Sequence, residues 1–249
     1  MLPLPTHKDG IGLTRMNDTR RLYQQIADRV RSLIQDENYG PGSRLPSERE
    51  LAQQLGVSRP SLREALIALE IEGAIEIRMG SGVYVLSPVR SGPQQTSPPL
   101  GESPIELMEA RATIESAVIL RAATAFTDTA LSRLRSLLAS MALEIEEGRK
   151  PMEQDRQFHL AIAELSGNAI LTGIIANLFD ERHSPMSDHI RGRFETPQTW
   201  ASALAEHEAI VAALEARNPQ AAQAAMYLHL TSSGRRWLES QIKSQPDRG

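Results

Sequence analysis

The tetrapeptide Leu55-Gly56-Val57-Ser58 stands between two short helical patterns and restricts what can surround it. Glycine permits the left-handed backbone of a sharp helix-to-helix turn, Val57 can fill the angle between the helices, and Ser58 can cap the second one. The helix before the turn begins at Ser47, where Glu50 at the third position after the cap completes a capping-box pattern. The helix after it runs from Arg59 to about Glu72 and stops at Gly73. Leu62, Leu66 and Leu69 fall on its inward side, while Arg59 and Arg63, four apart, share the outer face. An earlier helix starts near Asp18 or Thr19, carries Leu22, Ile26, Val30, Leu33 and Ile34 at helical spacing, and is broken by Gly40-Pro41-Gly42. Beyond Gly73, Ile75 and Ile77 alternate with Glu76 and Arg78, Met79-Gly80-Ser81-Gly82 turns the chain, and Val83 and Val85 alternate on the return. Three helices followed by a hairpin predict a winged helix-turn-helix over residues 19–86.

A helix N-terminus carrying arginines suits the DNA major groove, because guanidinium reads guanine edges bidentately and backbone amides hold phosphate. The net charge of −4 argues against bulk attraction to nucleic acid. Residues 1–90 hold 12 Lys and Arg against 11 Asp and Glu, and the remainder 15 against 20, so a DNA contact must come from a local cluster of arginines.

The rest of the chain reads differently. Residues 1–18 are expected to be a flexible tail, and residues 87–103, rich in Pro, Ser, Gly and Gln, a linker. Helices are predicted at 104–126, 129–148, 151–166, 168–190, 197–217 and 219–241, which gives a mainly α fold with an all-α helical-bundle domain over residues 104–241. Aromatic residues make up only 4% of the chain, which favours helix-on-helix packing over a β-sandwich. With no cysteine, disulfides and thiolate metal sites are excluded. The N-terminus lacks the basic and apolar runs of a signal peptide and no apolar stretch reaches membrane-spanning length, so a cytoplasmic protein is expected.

Four titratable residues of the helical region stand out. Asp155 and His159 are four apart on one helical face, and His207 and His229 lie on two further helices. One carboxylate and three imidazoles suit Zn²⁺, Ni²⁺ or Mn²⁺. Arg111 sits among the core-like Leu107, Ile114, Val118 and Ile119, where a charge needs a partner. Either Glu115, four residues on, supplies it, or the guanidinium is a fork for the carboxylate of a small-molecule effector.

The stretches Leu45-Pro46-Ser47-Glu48-Arg49-Glu50-Leu51-Ala52, Gly56-Val57-Ser58-Arg59 and Arg63-Glu64-Ala65-Leu66 resemble the signature of the GntR superfamily of bacterial regulators, with a match spanning about residues 20–86. The resemblance implies DNA contacts by Arg49, Arg59 and Arg63 and by the wing tip Met79 to Gly82. Ser47, Ser58 and Ser61, with Gly80, Ser81 and Gly82, complete the expected DNA-binding set. Pro60 stands where many relatives carry Thr. The C-terminal region is similar to the all-helical effector domain of the FadR-like branch through Glu109-Ala110-Arg111, Ser166-Gly167-Asn168, Glu206-His207 and Met226 with His229. This resemblance implies a divalent metal on Asp155, His159, His207 and His229, and an effector site that includes Arg111 and Glu115. Further similarity, through Arg21-Leu22-Tyr23-Gln24-Gln25, Ala68 to Gly73, Pro104 to Arg111 and Ala225 to Leu230, is to regulators of hexuronate use, and it implies a sugar-acid effector. Arg182 and His183 are candidate effector contacts on the same basis, although Ser184 replaces the usual Asn.

The expected function is a ligand-responsive repressor of sugar-acid genes: a homodimer on a palindromic operator, its DNA binding weakened by a sugar acid held near the metal. The alternatives are a regulator of another carboxylate pathway, a metalloenzyme fused to a DNA-binding module, and a DNA-architecture protein whose helical domain only dimerises. The sequence has no HExxH and no nucleophile motif, so no enzyme activity is expected.

Overall fold

A computed structural model describes residues 21–78, 80–86 and 100–239, with side chains as far as Arg236. The expected tail at 1–18, Met79 and linker residues 87–99 lie outside the described residues.

The N-terminal unit holds α1 (Leu22–Asp36), α2 (Glu48–Leu55), α3 (Arg59–Ile71), β1 (Ile75–Arg78) and β2 (Gly82–Val85). Ser47 caps α2 as expected: its hydroxyl accepts from the Glu50 amide and its own amide donates to the Glu50 carboxylate at 2.9 Å. Gly56 ends α2 at φ +64°, a conformation that costs other residues energy. Ser58 then caps α3 through the Ser61 amide, and Pro60 sits harmlessly in the first turn. The strands pair antiparallel with Ile75 opposite Val85 and Ile77 opposite Val83. These four side chains are buried on one face with Leu62, Leu66 and Leu69 of α3. The segment before α2 adds a third edge to this wing, since Leu45 donates to Val83 and Val85 donates to Ser43.

The C-terminal unit comprises α4 (Pro104–Thr124), α5 (Asp128–Glu146), α6 (Met152–Leu165), α7 (Ala169–Asp180), α8 (Pro185–Phe194), α9 (Pro197–Glu215) and α10 (Pro219–Glu239). Helix α10 packs along α4 and α9, α5 packs on α6 and α9, and α6 lies against α4 and α7. The single helix expected at 168–190 is two helices separated by a 3₁₀ turn, Glu181–His183. The cause is local. Proline cannot continue a helix, Pro185 is the first residue of α8, and Ser184 caps it through the Ser187 amide.

Residues 100–103, expected as the end of the linker, are docked between the two units. Leu100 and Ser103 are buried, and Tyr23 of α1 donates its hydroxyl hydrogen to the Gly101 carbonyl at 3.0 Å. Gly101 has φ +94°, and a β-carbon there would meet Ser184 at 2.1 Å, so only glycine fits. Two carboxylates of α3 complete the junction. Glu64 accepts from the Ser103 hydroxyl at 2.7 Å and from the Ile105 amide at 3.0 Å, at the start of α4. Glu70 accepts from the Ile77 amide and is held by His189 at 2.9 Å and by Arg193, both on α8.

Candidate functional sites: a DNA-facing helix and a buried metal centre

The first turn of α3 presents Ser58 and Arg59 to solvent, with Ser61 half-buried beside them. Arg49 is exposed on α2, Ser47 is half-buried at its cap, and Gly80 and Ser81 are exposed at the wing tip with Gly82 half-buried. Arg44, which the sequence reading did not single out, is exposed and lays its guanidinium against Gly82. Arg63 departs from the expected outer face. It is 7% exposed, and its guanidinium donates to Glu48 at 2.7 and 3.1 Å, which ties α3 to the first turn of α2. The reason lies in packing: α3 is covered by α1, α2, the wing and α8, so residues 62–69 are all buried.

In the C-terminal unit the four residues expected to bind a metal meet. Asp155 and His159 come from α6, His207 from α9 and His229 from α10. All are buried, and one donor atom from each lies within 4.8 Å of the others. His207 Nε2 lies 3.3 Å from Asp155 Oδ1 and 3.2 Å from His159 Nε2, so these nitrogens converge. The opposite nitrogens of two histidines are held from behind: His159 Nδ1 by Glu115 and His229 Nδ1 by Glu206 at 2.9 Å. A carboxylate at Nδ1 fixes the tautomer that leaves Nε2 as a lone-pair donor, the usual support for a metal-bound histidine.

The electrostatics match that role. Burial, reinforced by His207, pulls His229 down to about 3. Burial also lowers His207, against the pull of Asp155, so both imidazoles are neutral. Burial opposes ionisation of Asp155, yet its hydrogen bond with His207 and the charge of Arg182 hold it well below the ordinary carboxylate range. Glu115, buried but paired with Arg111 and His159, falls to about 2. Glu206, half-buried but bonded to His229 and Arg236, does the same. One anionic oxygen and imidazole nitrogens from three histidines fit a divalent cation such as Zn²⁺, Ni²⁺ or Mn²⁺.

A narrow cleft opens beside this cluster, with about 40 Å³ of free space between its side chains. Arg111 and Arg182 both line it. Arg111 has the partner that the first alternative named: its Nε donates to Glu115 at 2.7 Å, while its Nη2 is buried without a hydrogen-bond partner among the described residues. Its guanidinium also stacks on Phe179, with Cζ 3.8 Å from the ring centre. Arg182 donates to Asp155 Oδ2 at 2.7 Å and leaves its buried Nε open.

Two expected effector contacts are placed elsewhere. Glu115 is behind His159 and spent on Arg111, so it positions other groups rather than facing the cleft. His183 points to solvent, because adjacent residues of a 3₁₀ turn project about 120° apart and Arg182 takes the inward position. The cleft also holds Glu195, Trp200, Ser233 and Arg236, none of them singled out by sequence. A signal for two of them existed, since Trp200 and Arg236 lie seven residues from His207 and His229 and so share their helical faces.

Comparison with known proteins agrees with this two-part construction. A model of the gntR family of bacterial regulatory proteins matches residues 22–85, and a model of the FCD domain matches residues 106–232. The Uxu operon transcriptional regulator of Escherichia coli is 36% identical over 228 residues, covering 88% of each chain. The Exu regulon transcriptional regulator of Escherichia coli is 34% identical over 226 residues, 88% of this chain and 85% of the other. A regulatory protein named for the L-lactate dehydrogenase operon of Escherichia coli is 33% identical over 220 residues, 85% of this chain and 84% of the other. The relatives are regulators and not enzymes, and no described helix is long and apolar enough to cross a membrane. With an N-terminal winged helix-turn-helix and an FCD domain behind it, the chain belongs to the GntR family of bacterial transcriptional regulators.

Proposed function

We propose that this regulator is a cytoplasmic, homodimeric repressor of genes for sugar-acid catabolism, released from its operator when a hexuronate or aldarate binds beside a divalent metal. The observation that carries the reading is the pairing of a buried Asp155, His159, His207 and His229 cluster with two buried guanidinium edges, Arg111 Nη2 and Arg182 Nε, that await an acceptor. Buried donors without partners are costly, and an incoming carboxylate would satisfy both with charge-assisted hydrogen bonds. When bound, the metal supplies a Lewis-acidic position for oxygens of the effector. Arg111 and Arg182 would then orient the carboxylate, with Glu115 fixing Arg111 and Phe179 stacked beneath it.

Two facts support release rather than simple storage of ligand. The cleft is too narrow for a sugar acid, so binding must part its walls, and Phe194 and Glu195, at the end of α8, form one of them. The same α8 carries His189 and Arg193, which hold Glu70 of the DNA-facing helix. Displacing α8 would therefore disturb the placement of α3, and by linkage operator DNA must weaken effector binding by the same factor. In a dimer two α3 helices would enter successive major grooves of a palindromic site about one turn apart.

The reading is tested by a gel shift on the DNA upstream of the protein's own gene, with zinc present, against a panel of hexuronates, aldarates and their keto-deoxy derivatives. Release by at least one of these acids, abolished by His207→Ala, is expected. Release by lactate alone would move the assignment to a different carboxylate pathway. Unchanged binding with every acid would refute it.

A further inference from the structure

Helices α9 and α10 follow one another across a short turn and run antiparallel, with the His207 and His229 rings 4.2 Å apart. Seven residues back along α9 from His207 is Trp200, and seven residues forward along α10 from His229 is Arg236. Seven residues make two helical turns, about 10 Å, so both side chains stand at one level on the faces that carry the histidines. Both line the cleft, as do Arg111 and Asp155. At this distal level Trp200 is 7% exposed and its Nε1–H is buried without a hydrogen-bond partner among the described residues. Arg236 is held flat by two hydrogen bonds to Glu206 and one to Ser233 Oγ at 2.7 Å. Ser233 also lines the cleft.

We infer that Trp200 and Ser233 form a distal recognition point that selects a six-carbon polyhydroxy acid over a three-carbon one. The inference rests on the proposed placement of the effector carboxylate at Arg111 and Arg182. An acid with three carbons anchored there carries a single hydroxyl beside its carboxylate, and with that oxygen kept near the anchor it leaves the Trp200 N–H buried and unpaired. A six-carbon acid extends two or three further hydroxyl-bearing carbons toward it and can bring an oxygen to Trp200 Nε1 and Ser233 Oγ. A site built to bond a ligand oxygen rejects a ligand that lacks it more strongly than a purely apolar site would. Arg236 acts by position: its bonds to Glu206 and Ser233 fix the wall, and Glu206 in turn holds His229.

The test is titration calorimetry of the full-length, zinc-supplemented protein with D-glucuronate and with L-lactate. The wild-type protein is expected to bind D-glucuronate at least tenfold more tightly. Trp200→Phe keeps the ring and removes the donor; it should lower D-glucuronate affinity about fivefold and leave lactate unchanged. Ser233→Ala, a milder change one turn from His229 on the same wall, should act in the same direction if the Trp200 variant proves unstable. Arg111→Lys serves as the proximal control and should weaken both acids. Equal or reversed preference in the wild type, or variants at Trp200 and Ser233 that alter neither acid or both equally, would overturn the distal assignment while leaving the proximal one intact. Failure of D-glucuronate to bind the wild type, or an Arg111→Lys variant with wild-type affinities, would overturn the placement of the carboxylate and the distal site with it.

Discussion

Glu64 offers a direct test of how the two units are joined. It lies on α3 at 5% exposure, and burial pushes its carboxyl up to about 7 despite the Ile105 amide and Ser103 hydroxyl that favour the anion. In the unfolded chain the same group ionises near 4.5. Between those two values the folded protein binds more protons than the unfolded one, so the contribution of Glu64 to stability is full below pH 4.5 and declines as pH rises to about 7. At about 1.4 kcal/mol per pH unit across that interval, the loss is about 3 kcal/mol, most of it between pH 5 and pH 8. Glu64→Gln has no proton to release. It keeps a carbonyl for the Ile105 amide and an amide that can face Ser103, so it should fold and lack this decline. Urea denaturation of both proteins at pH 5, 6, 7 and 8, at fixed ionic strength, gives the difference directly. The variant is expected to gain on the wild type by roughly 2–3 kcal/mol over that range. Parallel stability curves would refute the claim that Glu64 is desolvated at the junction.

Three further outcomes follow from named contacts. Arg59→Ala should weaken operator binding by about 1–3 kcal/mol in fluorescence anisotropy at fixed salt, whereas Arg63→Ala should mainly lower the melting temperature, because its partner Glu48 loses its ion pair; a loss under threefold for Arg59→Ala would count against this placement of the recognition helix. His207→Ala should abolish retention of a divalent metal through dialysis, measured by metal analysis, and wild-type stoichiometry in the variant would refute the ligand set. Glu70→Gln, which weakens the hold of His189 and Arg193, should leave operator affinity without effector within about threefold and shrink the effector's releasing factor several-fold, on the scale of a coupling of about 1–3 kcal/mol; an unchanged factor would remove α8 from the route.

The parts of this chain that local chemistry decides were legible in its sequence. The capping box at Ser47, the left-handed Gly56 and the alternation at residues 75–85 are complete within short windows, and each appears where it was expected. The clustering of Asp155, His159, His207 and His229 was legible for a related reason: helical periodicity constrains which face each residue occupies, and Asp155 and His159 are on the same face by spacing alone. What escaped depends on contacts between distant segments. Arg63 reads as an outward residue until α8 and the wing are seen to cover α3. The carboxylates behind His159 and His229 come from α4 and from elsewhere on α9, at separations of 44 and 23 residues. The break before α8 is a different kind of miss, since Ser184-Pro185 has the same cap-then-proline form as Ser103-Pro104 and Thr196-Pro197, both placed correctly at helix starts.

That break has a mechanical consequence. A continuous helix over residues 168–190 would leave the pocket and the DNA-facing helix without a separate element between them. With the 3₁₀ turn in place, Arg182 within it reaches Asp155, and α8 starts as a separate helix. Ile190 and Phe194 bury one side of α8, and Phe194 also reaches the cleft; His189 and Arg193 occupy another side and meet Glu70. A short helix tied to Glu70 on one side and lining the cleft on another can shift as a unit, because close-packed elements exchange one arrangement for another instead of bending gradually. On the proposed mechanism the coupling would depend less on bulk charge, which is acidic across residues 91–249, than on whether Glu70 of α3 keeps its contacts with His189 and Arg193.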